Sequence, residues 1–289
     1  MDIKEQILKT LIYSDIFSYP LTQNQLWDYL ISDNHVSKTR FISSLKSTKG
    51  ISKTSNSYTL NGREKLVERV KKIKDTNLLK VQIANKAAII LSVLPTIELI
   101  GISGSVSMLN ANEDEDIDLV VFCHPKTIYI TRLLATLILD YKNLRRKKND
   151  TQVKDKICLN LFMTSEYKFK GQKQNLYIAH ELVQLRPIIG VKGSYAKILS
   201  LNKWVDSFLP NGRLIKRSYI QKKQSANSAV VFVFIILDLF VKYPQMLWIK
   251  RGQTQEYISN DMLAFHKRSS ENKTLLDYKN KLTKYSLRN

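Results

Sequence analysis

The stretch that decides the fold runs from Ile97 to Cys123 and reads IELIGISGSVSMLNANEDEDIDLVVFC. A first apolar run ends at Ser103-Gly104-Ser105, and after ten further residues Asp116-Ile117-Asp118 leads into a second apolar run. This pattern predicts a strand, a glycine turn, a short helix, an acidic loop and a second strand. Because side chains alternate between the two faces of a strand, Asp116 and Asp118 are predicted to project together, while the apolar residues between and after them face the core.

The predicted turn and the predicted pair of carboxylates have complementary chemistry. Two carboxylates can hold a hard divalent cation such as Mg²⁺, which also accepts phosphate oxygens. A Gly-Ser turn at a helix start offers backbone N–H groups and the positive end of the helix dipole, which suit a phosphate. Gly104 permits a close backbone approach, and the Ser105 hydroxyl is a hydrogen-bond donor. The stretch therefore contains the parts needed to bind a metal–nucleoside triphosphate and to transfer a group from it.

A second register for the acidic pair stays open. Asp114 has the same strand parity as Asp116 and Asp118, so a pair formed by Asp114 and Asp116 is the alternative. The pair Asp116 and Asp118 is favoured because the apolar alternation starts at Ile117.

The order and spacing of these residues resemble the signature of a known superfamily. Gly104-Ser105, followed after ten residues by Asp116-x-Asp118 and apolar residues, is similar to the nucleotidyltransferase superfamily with the DNA polymerase beta-type fold. The likeness is specific from about Ile97 to Phe122 and extends more loosely to Met163. The whole chain also resembles bacterial proteins that carry such a domain with an N-terminal winged-helix-like module; the stretches concerned are 13–17, 19–22, 156–160, 179–181 and 264–266.

The resemblance implies an activity and assigns its residues. It implies transfer of a nucleoside monophosphate from an NTP to an acceptor hydroxyl or phosphate, with one or two Mg²⁺ ions on Asp116 and Asp118. Gly104 and Ser105 would hold the β- and γ-phosphates. Arg132, on the helix predicted from Thr127 to Asn143, could also reach the triphosphate, although a surface ion pair is the simpler interpretation.

Many members of the superfamily place a third carboxylate on the next strand, which is predicted here from Ile157 to Met163. The matching residue is Asn160. An amide can orient a ligand by hydrogen bonding, but it cannot act as a general base. Three other carboxylates are candidates for that role: Asp155, Glu166 and Glu181. His180, which precedes Glu181, is interpreted as a hydrogen-bonded structural residue, because adjacent helical side chains diverge.

Composition bounds the cellular setting and the partners. The chain has 289 residues and a formal net charge of +21, which favours anionic partners: nucleic acid, nucleotides or a membrane surface. A general bias toward lysine is the alternative explanation. Cys123 and Cys158 suggest neither a metal motif nor a disulfide framework, so a reducing cytoplasm is expected. The first residues lack a secretory pattern.

The N-terminal segment, residues 1–62, is predicted to be a winged helix-turn-helix. Three helices are predicted, from Ile3 to Ser14, from Gln23 to Ser32 and from Lys38 to Thr48, followed by a hairpin around Ser55-Asn56. The third helix carries Lys38, Arg40 and Lys46, which could bind a phosphate backbone. Docking of a protein partner is the alternative role.

The remaining chain is divided into a nucleotidyltransferase-like domain, residues 63–165, and an α-helical C-terminal domain, residues 166–289. The first opens with a long linker helix from Arg63 to Leu94. In the second, the apolar run from Ala229 to Val241 is interrupted by Asp238 and is shorter than the roughly 20 residues of a membrane span. It is therefore predicted to be a buried helix, with no integral membrane segment; association with a membrane is the alternative. The expected fold class is mixed α+β, with a central mixed sheet.

Two functions follow from the sequence. The first is an Mg²⁺-dependent nucleotidyltransferase acting on an unknown acceptor, such as a nucleic acid or a protein. The alternative is a non-catalytic protein that senses a nucleotide or binds nucleic acid through a degenerate domain, which Asn160 favours.

Overall fold

Two β-sheets organise the chain in the computed structural model. The structure describes residues 2–147, 150–222, 227–251, 257–264 and 268–287, and within them the fold is mixed α+β. The helices are α1 Ile3–Ile16, α2 Gln23–Asp28, α3 Lys38–Ser47, α4 Lys65–Lys72, α5 Lys74–Leu91, α6 Gly104–Ser107, α7 Ile128–Tyr141, α8 Leu176–Gln184, α9 Ser194–Leu201, α10 Ser228–Arg251 and α11 Arg268–Lys284. The strands are β1 Leu21–Thr22, β2 Ile51–Thr54, β3 Ser57–Leu60, β4 Ile97–Ile102, β5 Ile117–Cys123, β6 Ile157–Thr164, β7 Arg186–Val191, β8 Ile220–Lys222, β9 Tyr257–Ile258 and β10 Met262–Ala264.

The N-terminal segment contains α1 to α3 and a three-stranded sheet in the order β1-β3-β2. Thr22 begins α2 with a capping box, in which its side chain and that of Gln25 satisfy each other's backbone N–H groups. The predicted helices and hairpin are confirmed, although α2 ends at Asp28, four residues before the predicted end. Asp15 of α1 pairs with Arg63 (2.6 Å) and with Lys281 of α11. The segment is therefore fixed against the rest of the chain.

The larger sheet has seven strands in the order β8-β7-β4-β5-β6-β10-β9. Strands β4 and β5 are antiparallel, and β5 and β6 are parallel, because α7 crosses over between them. On β5 the side chains of Ile117, Leu119 and Val121 pack in the core beneath α5 and α7. Val120 and Phe122 belong to the other core, which also contains residues of α1, α8 and α11. The predicted alternation on β5 is confirmed.

An irregularity in β6 changes the predicted pattern of its side chains. Leu119 is paired with Leu159, but the next residue, Val120, is paired with Leu161. Asn160 is thus an extra residue in β6, and a bulge of this kind reverses the faces of the residues that follow. Leu159 packs with the α5 and α7 core, whereas Leu161 packs with the core of α1, α8 and α11. Simple alternation along β6 would place Leu159 and Leu161 on one face, and the bulge is the reason that they lie on opposite faces.

Three further predictions are corrected by the structure. The linker is two helices, α4 and α5, which are separated at Ile73. The C-terminal region contributes β7 to β10 to the large sheet in addition to its helices. The run from Ala229 to Val241 is part of α10, a helix of 24 residues, most of whose described side chains are exposed. In the described part of the chain, α10 is the one helix long and apolar enough to cross a membrane, over Ser228–Leu247.

Candidate active site

Asp116 and Asp118 lie together at the start of β5. One carboxylate oxygen of each, and Sγ of Cys158, all lie within 4.8 Å of one another. Cys158 joins them because it is directly paired with Asp118 across the parallel strands β5 and β6. The predicted projection of the two aspartates to one side of the sheet is therefore confirmed.

The electrostatics of this pair are unfavourable for two negative charges. Burial, and secondly the negative charge of Asp116, raise the pKa of Asp118 to about 7. The Cys158 thiol donates a hydrogen bond to Asp118, which opposes the rise. Arg146 donates a hydrogen bond from Nη1 to Asp116 Oδ2 at 2.7 Å. Arg146 thus offsets part of the charge on Asp116 but leaves Asp118 without an ion-pair partner in the described residues.

The glycine turn lies against Asp118. Ser103 N donates to the Asp118 carbonyl at 3.0 Å, which places the end of β4 beside the start of β5. Gly104 has φ +63°, and a Cβ added there would lie 3.1 Å from Asp118 Oδ2. The positive φ favours glycine, and an added side chain would also be in tight contact with Asp118 Oδ2. The turn and the acidic pair therefore lie next to each other, as the sequence predicts.

Ser105 and helix α6, which begins at Gly104, differ from the expected phosphate site in two details. The Ser105 hydroxyl donates to Glu115 Oε2 at 2.6 Å. Helix α6 is only four residues long, so its dipole is weak. What the turn offers an anion is therefore mainly its backbone N–H groups, together with a hydroxyl that can exchange Glu115 for another acceptor.

Lys80, which the sequence analysis missed, holds the acidic loop in place from behind. Its side chain is fully buried in α5. Its Nζ donates to the carbonyls of Glu113 (3.0 Å) and Glu115 (2.5 Å) and to Asp155 Oδ1 (2.8 Å). The available signal was its position on the apolar face of α5, where a charged residue needs buried partners.

Glu181 faces the acidic pair from α8. Burial and secondly the charge of Asp118 raise the pKa of Glu181 to about 7. The His180 ring stacks on Tyr13 with centroids 4.0 Å apart, and Nδ1 is hydrogen-bonded to Gln184 Nε2 at 3.1 Å. These contacts fit the predicted structural role of His180, and His180 lines the same cavity as Glu181.

A cavity of about 290 Å³ opens between the N-terminal segment, the glycine turn and α8. Gly104 and Ser105 line one side of it, and Glu181 lines another. Its remaining wall is rich in aromatic side chains, several of them from the N-terminal segment: Tyr13, Phe17, Tyr19, Tyr29 and Tyr177. Arg69 of α4 also lines the cavity, held by the side chains of Asn110 (2.7 Å) and Asn112 (2.9 Å). The cavity thus combines planar apolar groups with a cation.

Two predicted site residues lie apart from this arrangement. Asn160 is buried at the bulge in β6. The position beside the aspartates that was expected for Asn160 is occupied by Cys158. Arg132 is on α7, beneath the opposite face of the sheet, where its Nη1 donates to Gln245 Oε1 of α10 at 2.8 Å. The structure therefore does not bring Arg132 to the Gly104-Ser105 turn, because α7 packs against the face that carries Ile117 and Leu119.

The three carboxylates considered as substitutes for a third acid are also separated by the fold. Asp155 is bound to Lys80. Glu166 is exposed and pairs with Lys197 at 3.4 Å. Of the three, only Glu181 lines the cavity.

Comparisons of the chain with models of protein families, with curated proteins and with solved structures gave no match.

Proposed function

We propose that the chain is a metal-dependent nucleotidyltransferase with a DNA polymerase beta-type domain and an N-terminal winged-helix-like module. It transfers a nucleoside monophosphate from an NTP to an acceptor. The observation that carries the proposal is the contact between the Gly104 turn and Asp118, 3.1 Å from a Cβ position to Oδ2, with Asp116 on the same side. This contact lets one metal–triphosphate reach both the backbone N–H groups and the carboxylates.

The donor groups fit Mg²⁺ bound to Asp116 and Asp118. Carboxylate oxygens are the ligands that hard divalent cations prefer. Burial and the charge of Asp116 raise the pKa of Asp118, which has no ion-pair partner among the described residues, and a divalent cation would offset its negative charge. Burial and the charge of Asp118 raise the pKa of the Cys158 thiol, so Cys158 stays protonated and acts as a hydrogen-bond donor. Bound there, the cation would neutralise charge on the phosphates during transfer.

Glu181 is the residue best placed to accept the proton of the attacking acceptor. It lines the cavity opposite the glycine turn, and its pKa of about 7 suits a general base near neutral pH. It takes the role that an amide at Asn160 cannot perform. The aromatic wall of the cavity would stack on the base of the nucleotide, and Arg69 would attract its negative charge.

The test is transfer of label from radiolabelled NTPs to nucleic-acid and protein acceptors in the presence of Mg²⁺. Asp116→Asn and Asp118→Asn are each expected to lower transfer at least a hundredfold. Asp114→Asn is the matched control, because Asp114 is an exposed aspartate of the same loop. Equal transfer by the wild type and Asp118→Asn would remove this site from the mechanism; loss in Asp114→Asn instead of Asp118→Asn would establish the alternative register.

A second function, nucleotide sensing without turnover, is favoured by one specific observation. Cys158, rather than a third carboxylate, lies beside Asp116 and Asp118. In that case calorimetry would show Mg²⁺-dependent NTP binding that Asp118→Asn abolishes, with no transfer to any acceptor. When nucleotide is bound, exposed basic residues of α3 would then contact nucleic acid: Lys38, Arg40 and Lys46. Salt-dependent duplex binding lost in Lys38→Ala/Arg40→Ala would support this role.

A further inference from the structure

Helix α10 is oriented with polar residues inward and apolar residues outward. Over Ser228–Leu247 the buried residues are Val231, Asp238 and Gln245, which are seven positions apart, and two of them are polar. Nine large apolar side chains of the same segment are between 41 % and 74 % exposed: Val230, Phe232, Val233, Ile236, Leu237, Leu239, Phe240, Tyr243 and Leu247. A helix on the surface of a water-soluble protein normally shows the reverse arrangement.

The inward polar residues fix this orientation. Asp238 Oδ1 accepts a hydrogen bond from the backbone N–H of Ile130 at 2.8 Å. Gln245 Nε2 donates to the Tyr129 carbonyl at 2.8 Å, and Gln245 Oε1 accepts from Arg132. These bonds tie α10 to the first turn of α7. Rotating α10 to bury its apolar residues would break these hydrogen bonds, which therefore hold the apolar face outward.

The exposed residues form one continuous band along the helix. At 100° per residue they occupy about half of the helix circumference, and twenty residues span about 30 Å. Monomeric proteins rarely leave a contiguous apolar patch larger than a few hundred Å² in contact with water. A band of this size therefore indicates a surface that is covered when the protein functions.

We propose that the outward face of α10 docks the protein on an anionic lipid surface, with the helix lying in the plane of the membrane. The formal net charge of +21 attracts the molecule to anionic headgroups. The same charge opposes pairing of two copies of this chain through one face. The band offers almost no hydrogen-bonding groups, the Tyr243 hydroxyl excepted, and acyl chains require none.

The helix lies on the membrane rather than across it. A transmembrane orientation would pull Asp238 and Gln245 away from α7 and place a carboxylate and an amide in hydrocarbon, which is costly. An in-plane orientation keeps both residues bonded to Ile130 and Tyr129. It immerses only the half of the helix that the protein leaves uncovered.

The experiment is co-sedimentation of the full chain with vesicles of phosphatidylcholine alone and of phosphatidylcholine with about 30 % phosphatidylglycerol, at low and high salt. The wild type is expected to bind the anionic vesicles at least tenfold more tightly than the neutral ones. Phe232→Ser/Phe240→Ser/Leu247→Ser is expected to weaken that binding at least tenfold with unchanged thermal unfolding, because these side chains are exposed. The matched control is Leu79→Ser/Val93→Ser, which removes exposed apolar side chains elsewhere and should bind as the wild type does.

Three results would overturn the proposal. The first is no sedimentation with anionic vesicles at low salt. The second is equal binding by the wild type and the α10 variant, which would assign binding to charge alone. The third is a wild-type dimer that does not bind vesicles, together with an α10 variant that light scattering shows to be a monomer. The outward face would then be an interface between two copies of the chain. None of these outcomes depends on whether the protein transfers nucleotides.

Discussion

The acidic loop from Asn112 to Asp116 separates two sets of buried charges that the fold treats in opposite ways. Behind the loop, Lys80 is fully buried and its ammonium group meets three oxygen atoms. In front of it, burial raises the pKa of both Asp118 and Glu181 to about 7, with a second contribution from the charge of Asp116 at Asp118 and from the charge of Asp118 at Glu181. The charge of Lys80 is compensated by Asp155 and two carbonyls, whereas Asp118 and Glu181 have no ion-pair partner among the described residues.

The two sets are therefore expected to have different roles: Lys80 stabilises the fold, and Asp118 and Glu181 bind a ligand. A buried charge with complete partners stabilises the folded chain only as long as every partner remains. Acids buried near one another weaken the fold, and such groups concentrate at functional sites, where a bound cation restores the balance. Substitutions in the two sets should therefore change stability in opposite directions.

The largest change in the free energy of unfolding is expected for a substitution at Lys80, behind the loop. Lys80→Met would leave Asp155 and two carbonyls without their cation, and should lower the free energy of unfolding by about 3–5 kcal/mol. Urea unfolding monitored by circular dichroism measures this change. Lys86→Met is the control, because Lys86 is exposed on the same helix and should change stability by less than about 0.5 kcal/mol. A Lys80→Met protein as stable as the wild type would contradict the structural role of the lysine.

A substitution at Asp118, in front of the loop, is expected to raise the free energy of unfolding. Asp118 has a folded pKa of about 7, above the unfolded value of about 3.9, so its stabilising contribution is present at low pH and lost as pH rises through about 4 to 7. Asp118→Asn should therefore raise the free energy of unfolding at pH 8 by about 1–3 kcal/mol. The gain should disappear near pH 4, and Mg²⁺ should stabilise the wild type but not the variant. A loss of stability at pH 8 would show that Asp118 is not electrostatically strained.

A smaller effect is expected from His180, which neighbours Glu181 but is buried as a neutral base. Burial lowers the pKa of His180 to about 3. Because this folded pKa lies below the unfolded value, stability is present above about pH 6.5 and is lost as pH falls toward 3. His180→Phe keeps a ring against Tyr13 and removes the titration. Between pH 6.5 and 5 the wild type should lose about 1–2 kcal/mol more than the variant in urea unfolding; parallel pH profiles would contradict the buried neutral state.

The smallest effect on stability concerns the glycine turn. Gly104→Ala places a side chain at positive φ and beside Asp118 Oδ2, and should cost about 1 kcal/mol. Gly193→Ala is the matched control, since Gly193 also has a positive φ (+79°) but has no atom within 4 Å of an added Cβ. Both variants should lose similar stability, but only Gly104→Ala should lose NTP binding, measured by calorimetry. Equal NTP binding by the two variants would separate the turn from the site.

Much of the site could be predicted from sequence because it is encoded locally. The alternation around Ile117 sets the direction of Asp116 and Asp118, and Gly104 marks the turn that approaches them. The residue of β6 that lies beside Asp116 and Asp118 could not be predicted, because the bulge at Asn160 arises from the pairing of β6 with β5. Strand parity alone cannot reveal an extra residue that only the partner strand defines.

The sequence by itself determined the periodic elements: the N-terminal helices and hairpin, the succession of strand, turn, loop and strand from Ile97 to Cys123, and an apolar helix near residue 235. The tertiary structure alone decided that Lys80 meets Asp155, that Glu181 rather than Asp155 or Glu166 faces Asp118, and that the apolar residues of α10 point outward. Hydrophobicity and charge belong to single residues and can be read along the chain. Burial and partnership depend on which distant segments pack together, and they become known only once the chain is folded.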